Sequence, residues 1–373
     1  MSAQADEIRQ AVRRYAAEKL APHAARWDRE KEFPREALQG LAEMGLYGVA
    51  IAEEWGGAGM DYTALAVACE EVAAGDCATA TIVAVNNLVA GILAGYGSDA
   101  QKARFLKPLA QGKMLGAFAL TEPQVGSDAS AITTRAERKG SEYVLNGVKQ
   151  FITSGKNADV AVVFAVTNKS AGKKGISAFL VPTSTPGYVV ARIEDKTGQR
   201  ASDTAQIVFE NCKTEHLLGE EGAGYRIALA NLESGRINVA AQATGVARAA
   251  LEAAVAYTRE RKSMGKTLIE HQAVNFRLAD MATQVEAARQ LYLHAARLRD
   301  AGQPCLKEAS MAKLFASEMA ETVCSDAIQV HGGYGYVADF PVERFWRDVR
   351  VTKIYEGAND IQRLVIGRAL EEG

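Results

Sequence analysis

Glu142-Tyr143-Val144-Leu145-Asn146-Gly147-Val148-Lys149-Gln150-Phe151-Ile152-Thr153 is the stretch on which the fold turns. Two β-like runs flank Asn146-Gly147. Asparagine and glycine accept the positive φ of a tight two-residue turn, so the pattern predicts a β-hairpin. Further short runs follow at Val160–Val166, Ile176–Val181 and Ala205–Phe209, each bounded by turn residues. About seven such strands between Leu115 and Glu210 predict a small antiparallel barrel or sandwich.

On both sides of this region the texture is helical. Ile8, Val12 and Tyr15 recur at helical spacing, and Ser98-Asp99-Ala100-Gln101 fits a capping box. Gly56-Gly57-Ala58-Gly59 reads as a loop, and the alanine- and glycine-rich run Ile82–Gly97 as a buried helix. From about Gly224 the chain is helical again. Val274, Leu278, Met281, Val285, Ala288, Tyr292 and Ala295 step by three and four, and Ala312, Ala316, Met319 and Val323 form a second stripe. Such stripes are the core faces of bundle helices. The expected organisation is α+β: a helical N-terminal domain (1–115), a middle β-domain (116–220) and a C-terminal four-helix bundle (221–373).

Of 373 residues, 48% are apolar and 24% charged, which excludes disordered and fibrous chains. Lysine plus arginine number 43 and aspartate plus glutamate 45, a net charge of -2. Such a balance gives no bulk attraction to nucleic acid or to an acidic membrane. The five cysteines are scattered without a C-x-x-C pair, so reduced thiols in a cytosol-like compartment are expected, with no disulfide scaffold or zinc ribbon. Met1 to Arg14 lacks the apolar segment of a signal peptide. No apolar run reaches the ~20 residues of a membrane span: Val160–Val166 is short, and Ile82–Ala94 is broken by Asn86 and Asn87. A cytoplasmic protein is expected, or a mitochondrial matrix protein if a transit peptide has been removed.

Common nucleotide and catalytic motifs fail. Gly265-Lys266-Thr267 resembles the end of a P-loop, but Glu260 stands where the first glycine belongs. No G-x-G-x-x-G follows a strand, no G-x-S-x-G is present, and the five histidines lack metal-like spacing, so no metal site is expected. Three stretches remain. Phe118 to Asp128 reads as a strand entering a loop, where Gly126 and Ser127 either offer an amide and a hydroxyl to a phosphate or simply turn the chain. Gln150 to Gly155 places an aromatic and a hydroxyl at a strand end. Lys353 to Arg363 sets Glu356 before a helix, as a buried base or as a first-turn residue favoured by the helix dipole.

Together these stretches resemble the acyl-CoA dehydrogenase family over nearly the whole chain. Leu120-Thr121-Glu122-Pro123 with Gly126-Ser127-Asp128 is similar to the family's first signature, and Gln329-Val330-His331-Gly332-Gly333-Tyr334-Gly335-Tyr336 to its second. Arg261 to Lys266, His271-Gln272, and Ile354-Tyr355-Glu356-Gly357 complete the set in the family's order and spacing. The family's helical, β and four-helix-bundle domains follow the order already read.

The resemblance implies FAD-dependent α,β-dehydrogenation of an acyl-CoA thioester, with electrons passed to electron-transfer flavoprotein. Glu356 occupies the usual base position, and its backbone N–H is expected to polarise the thioester carbonyl. Some members carry the base immediately before the arginine of the Leu232-Glu233-Ser234-Gly235-Arg236 segment, a position that is Gly235 here. Glu233 and Arg236 are expected along the CoA channel, with Ser127, Tyr355, Gly357 and Arg368 also on the substrate side. For FAD the resemblance implies Thr121 and Thr153 at the isoalloxazine, Phe151 beside it and Ser127 near the pyrophosphate and the CoA entrance, with Phe118, Leu120 and Gly126 also on the cofactor side. Arg261, Gln272, Gln329 and Gly333 are implied in holding the ADP half of a neighbouring subunit's cofactor, and Ser263, His271, Gly332, Ala358 and Asp360 are also implied on the cofactor side. That arrangement implies a homotetramer, a dimer of dimers.

Phe151 stands where many members have tryptophan, and Ala358 where threonine is common. An oxidase or desulfinase on the same scaffold and a DNA-binding flavin relative are the rival readings; the net charge and the retained Glu356 oppose the last. By the same resemblance Ala80–Ser98 supplies part of the acyl pocket, where Ala90, Gly91, Ala94 and Gly95 either line the wall or pack on a neighbouring helix. The run has no charged residue to pair with a dicarboxylyl substrate, and acyl chain length stays open.

Overall fold

In the computed structural model, which describes residues 3–372, 142–153 is one continuous strand rather than a hairpin. The middle domain contains β1 (Gly116–Ala119), β2 (Arg135–Lys139), β3 (Glu142–Thr153), β4 (Val160–Val166), β5 (Ile176–Pro182), β6 (Tyr188–Ile193), β7 (Thr204–Thr214) and β8 (Leu217–Leu218). The tight turn comes earlier, at Gly140-Ser141, where Lys139 pairs with Glu142 and Gly140 has φ +66°. Asn146-Gly147 instead forms a bulge, with the register to β7 shifting between Leu145 and Gly147. Asn146 Oδ1 accepts from the Asn211 amide at 2.9 Å. A side chain at Gly147 would meet Thr134 at 2.6 Å. Glycine-containing dipeptides serve turns and bulges alike; pairing with β7 along nearly all of β3 decides which.

The strands form one mixed sheet in the order β6-β7-β3-β2-β4-β5-β8, with β1 alongside β4. β1 runs parallel to β4, as does the single β2–β4 pairing. The expected antiparallel barrel or sandwich is therefore a mixed, open sheet. Tyr143, Leu145, Ile152, Ala161, Val163, Phe179, Ile207 and Phe209 nonetheless meet in one cluster. The other face of β4, Val160, Val162 and Phe164, packs against the N-terminal helices. Burial on both faces explains its unbroken apolar run.

The N-terminal part comprises α1 (Ala3–Tyr15), α2 (Ala21–Glu30), α3 (Arg35–Glu43), α4 (Tyr62–Gly75), α5 (Cys77–Tyr96) and the short turns α6 (Asp99–Gln101) and α7 (Lys107–Ala110). Ser98 and Gln101 form the expected capping box on α6. Asp76 caps α5 by accepting from the Thr79 amide at 2.8 Å. α5 is 20 residues and apolar enough to cross a membrane by length and composition, which corrects the expectation that no such run exists. Here it is a core helix. Asn86 and Asn87 do not break it, because their side chains bond the Leu46 and Tyr47 carbonyls and the Gly116 amide.

α8 (Gly224–Glu260) leads through a small hairpin, β9 (Lys262–Ser263) and β10 (Lys266–Thr267), into α9 (Gln272–Asp300). α10 (Leu306–His331), α11 (Val342–Val349) and α12 (Asn359–Glu372) complete the C-terminal helical domain. Both predicted stripes face its core: Leu278, Met281, Val285, Ala288, Tyr292 and Ala295 are buried, as are Ala312, Ala316, Met319 and Val323.

Candidate active site

Glu356 sits in the turn between α11 and α12 with φ +54°, followed by Gly357 at +86°. A non-glycine residue at left-handed φ costs roughly 1 kcal/mol or more, so surrounding bonds must hold it. Lys313, fully buried on α10, donates from Nζ to the Gly357 carbonyl and to Asn359 Oδ1, both at 2.8 Å. Gln362 donates to the carbonyls of Glu356 (3.2 Å) and Gly357 (2.8 Å). Asn359 is braced in turn by Ser317.

The carboxylate points at α8. Its Oε2 is enclosed and has no hydrogen-bond partner among the described residues. A Cβ on Gly235 would lie 2.5 Å from that oxygen, so absence of a side chain at 235 is what gives the carboxylate its place. Burial pushes the Glu356 carboxyl up to about 7, while the Arg236 and Lys313 charges pull the other way. Burial likewise brings Lys313 down to about 7 against the attraction of Glu356. Arg236, also buried, donates to Ser310 Oγ at 3.2 Å, and its Nε has no partner among the described residues. A half-buried carboxylate raised toward neutrality, with one oxygen enclosed and Arg236 and Lys313 nearby, is equipped to take a proton.

Behind it, the Tyr355 hydroxyl donates to Gln242 Oε1 at 2.6 Å and accepts from Gln199 Nε2 at 3.3 Å. Gln242 continues to the Cys77 carbonyl at 3.0 Å. The turn is thus tied to α5, α8 and the loop before β7. Glu233 is engaged by Arg299 (3.1 Å) and by the Cys305 thiol (3.2 Å), and the Arg299 guanidinium lies 4.4 Å over the Tyr62 ring. Arg368 is exposed near the end of α12; at the usual helical rise it lies about 14 Å along the axis from Asn359. It is not brought into the Glu356 group.

A second group forms where β1 meets β3. The Gln150 amide donates to the Thr121 carbonyl at 2.8 Å, setting Thr121 beside the Phe151–Thr153 strand end. Phe151 has φ +59° in a second bulge, between Lys149 and Ile152, and its ring is 62% exposed. Leu120 is buried, with its carbonyl bonded by Lys149 Nζ at 2.8 Å. Phe118 packs on Phe164, ring centroids 5.1 Å apart. The following loop is anchored by Glu122, which pairs with fully buried Lys149 at 2.9 Å and accepts from Thr133 and Thr134. Burial alone would raise the Glu122 carboxyl, yet Lys149 and these donors hold it at about 2. Gly126 and Ser127 lie at the exposed tip, with open space around Gly126.

A third group lies at the α8–α9 hairpin and the end of α10. His271 Nε2 is 3.0 Å from the Ser263 carbonyl. Arg261 reaches over the Tyr334 ring at 5.7 Å, which brings the hairpin to the glycine turn after α10. Gln272, Gln329, Gly332 and Gly333 are exposed there, and Gly332, at φ +60° and ψ -135°, has a backbone that only glycine adopts readily. Ala358 offers its carbonyl to the first turn of α12, and Asp360 is exposed on that turn.

On α5 the small residues divide. Side chains added at Gly91 or Gly95 would meet nothing within 4 Å, whereas Ala90 is fully buried and Ala94 packs against the same cluster. Sequence reasoning passed over Lys313, Gln242 and Gln199. Lys313 did leave a signal: it is a lone cation between Ala312 and Ala316 on a buried stripe.

The family models match in series: "Acyl-CoA dehydrogenase, N-terminal domain" over residues 2–113, the middle domain over 117–212, and the C-terminal domain over 222–371. The chain is 47% identical to the mitochondrial short-chain specific acyl-CoA dehydrogenase of Rattus norvegicus over 362 residues, 96% of this chain and 88% of the relative. It is 41% identical to the butyryl-CoA dehydrogenase structure from Megasphaera elsdenii, with TM-score 0.97 over 100% of this chain and 99% of that one. A chain from the structural study of the electron transferring flavoprotein of Acidaminococcus fermentans is 44% identical, with TM-score 0.98 over 100% of this chain and 99% of that one. Three matched segments in order, on a shared full-length fold, show that the chain belongs to the acyl-CoA dehydrogenase family of oxidoreductases.

Proposed function

We propose that the protein dehydrogenates short acyl-CoA thioesters at Cα–Cβ to the trans-2-enoyl-CoA, using FAD, with Glu356 as the base. The observation that carries this reading is the dry, unpaired carboxylate oxygen of Glu356 in the space left by Gly235. Burial raises its proton affinity toward what a thioester α-carbon demands. Lys313 and Gln362 fix the Glu356–Gly357 backbone, so the Glu356 amide is held ready to donate to a thioester oxygen as enolate charge develops. Arg236 lends positive charge to the surroundings of the carboxylate.

Acyl-CoA dehydrogenases are FAD-dependent, and the second group fits a flavin ring: an exposed aromatic, Phe151, near Thr153 at the end of β3, with Thr121, just past β1, held by the Gln150 amide. FAD, when bound, supplies the acceptor for the Cβ hydride. Arg261 and the exposed glycine turn suit a diphosphate. We assign them to the cofactor of a neighbouring subunit, in a homotetramer. Electron-transfer flavoprotein is the proposed electron acceptor, supported by the Acidaminococcus fermentans likeness. The short-chain preference is supported by the rat and Megasphaera relatives. Five free, buried cysteines fit the proposed cytoplasmic setting.

The test is anaerobic bleaching of the bound flavin by acyl-CoAs from butyryl to palmitoyl, branched chains included. Bleaching strongest with the shortest chains is expected. Failure of every acyl-CoA to reduce the flavin would overturn the reading.

A further inference from the structure

We propose that the cleft between α1 and α9 binds a small phosphate-bearing anion, at a site separate from the three groups above. The cleft encloses about 370 Å³. Five arginines line it: Arg9 and Arg13 from α1, Arg248 from α8, and Arg289 and Arg297 from α9. Glu286 is the one carboxylate residue among the lining side chains.

Part of this charge is structural. Glu70 and Glu71 on α4 are 2% exposed, and buried carboxylates require partners. Arg248 supplies both, with Nε 3.2 Å from Glu70 and Nη2 2.6 Å from Glu71. Arg289 bonds Glu70 at 2.8 Å, and Arg13 bonds Glu71 at 3.0 Å. The Tyr292 hydroxyl also donates to Glu70. Three guanidiniums thus satisfy both acids from the cleft side and are locked in place by doing so. At the rim, Glu286 pairs with Arg289, and Glu252 with Arg248 at 2.9 Å.

Arg9 and Arg297 exceed this requirement. Arg9 has only Asp6 at 3.8 Å, and the Arg297 guanidinium has no hydrogen bond or ion pair among the described residues. Arg13 commits Nε and Nη2 to Glu71, leaving Nη1 without a bond there. Free donors from two helices therefore converge on a cleft whose floor is fixed. Guanidinium forks match phosphate oxygens bidentately, and the donors of Arg9, Arg13 and Arg297 that the carboxylates leave unused are the ones such an anion would engage. A doubly charged phosphate or diphosphate group, free or carried on a nucleoside, has the chemistry that fits.

The test titrates FAD-loaded protein with inorganic phosphate, pyrophosphate and ADP in a calorimeter at constant ionic strength. Wild type is compared with Arg9→Gln/Arg297→Gln, and with exposed Arg297→Gln alone should the double variant be less stable. We expect one saturable site per protomer, weakened about tenfold or more in the double variant, with butyryl-CoA reduction of the flavin unchanged. Tighter ADP than pyrophosphate assigns a nucleotide, and the reverse assigns the inorganic anion; either supports the site. Absence of saturable binding, or equal binding by wild type and variant, overturns it. A changed sedimentation coefficient in the variant without anion binding by wild type also overturns it, and makes the cleft a subunit contact.

Discussion

Gly235→Ala adds one methyl group where the Glu356 carboxylate already lies. The new Cβ would stand 2.5 Å from Oε2 and 3.0 Å from the carboxyl carbon. Ordinary carbon contacts are about 3.5–4.0 Å, so the carboxylate must retreat by roughly 1 Å. It is the end of a flexible side chain, so the fold yields cheaply, and α8 gains about 1 kcal/mol of helix propensity from the exchange. Stability and flavin content should stay the same or rise slightly. Flavin reduction by butyryl-CoA should slow about 10²-fold, the usual consequence of a ~1 Å misplacement of a reacting group. The assay is rapid-mixing absorbance, paired with thermal denaturation and the flavin-to-protein ratio. A folded, flavin-loaded variant reduced at the wild-type rate would refute the reasoning, because the carboxylate would then have room that the structure denies it. The same geometry explains why the family resemblance offers a base at 235 or at 356: the two side chains compete for one volume.

Three further outcomes are expected. Because Glu356 must be ionised to accept a proton, flavin reduction should rise as pH increases through about 7; Lys313→Met removes a cation that favours ionisation, so its pH–rate limb should move to higher pH, and an unmoved limb would separate Lys313 from the base. Lys149→Met strands the buried Glu122 carboxylate, so denaturant unfolding should show a loss of about 3–5 kcal/mol with a lower flavin ratio, and a loss below about 1 kcal/mol would contradict that role. Arg261→Ala should reduce flavin retention and tetramer stability together; stoichiometric flavin in an unchanged assembly through dilution would rule out the cross-subunit assignment.

What was legible in the chain was local and periodic. The α9 and α10 stripes declare their buried faces through 3.6-residue spacing, and Ser98–Gln101 declares its cap. The β3 turn was misplaced because Asn146-Gly147 and Gly140-Ser141 are both good turn dipeptides, and the choice rests on β7, some sixty residues away in sequence. The parallel course of β1 against β4 is equally non-local. α5 looked interrupted because Asn86 and Asn87 are polar, while their partners lie in another segment and in β1. At the site, Glu356 was ambiguous by itself and gained meaning only from four motifs read together. Lys313 and Gly235 act on Glu356 across long sequence separations, so no local pattern joins them. Glu233 was expected along the CoA channel by resemblance, while its partners, Arg299 and Cys305, lie more than sixty residues away and no local pattern names them.

Glu356→Gln addresses the base assignment most directly. The amide is nearly isosteric, leaves the bonds from Lys313 and Gln362 to the backbone in place, and cannot take the α-proton. Loss of a general base typically costs about 10²–10⁴-fold. Mixed anaerobically with butyryl-CoA, the FAD-loaded variant should bind the thioester with the flavin staying oxidised on the timescale of wild-type bleaching. Bleaching of the variant at the wild-type rate would contradict Glu356 as the base.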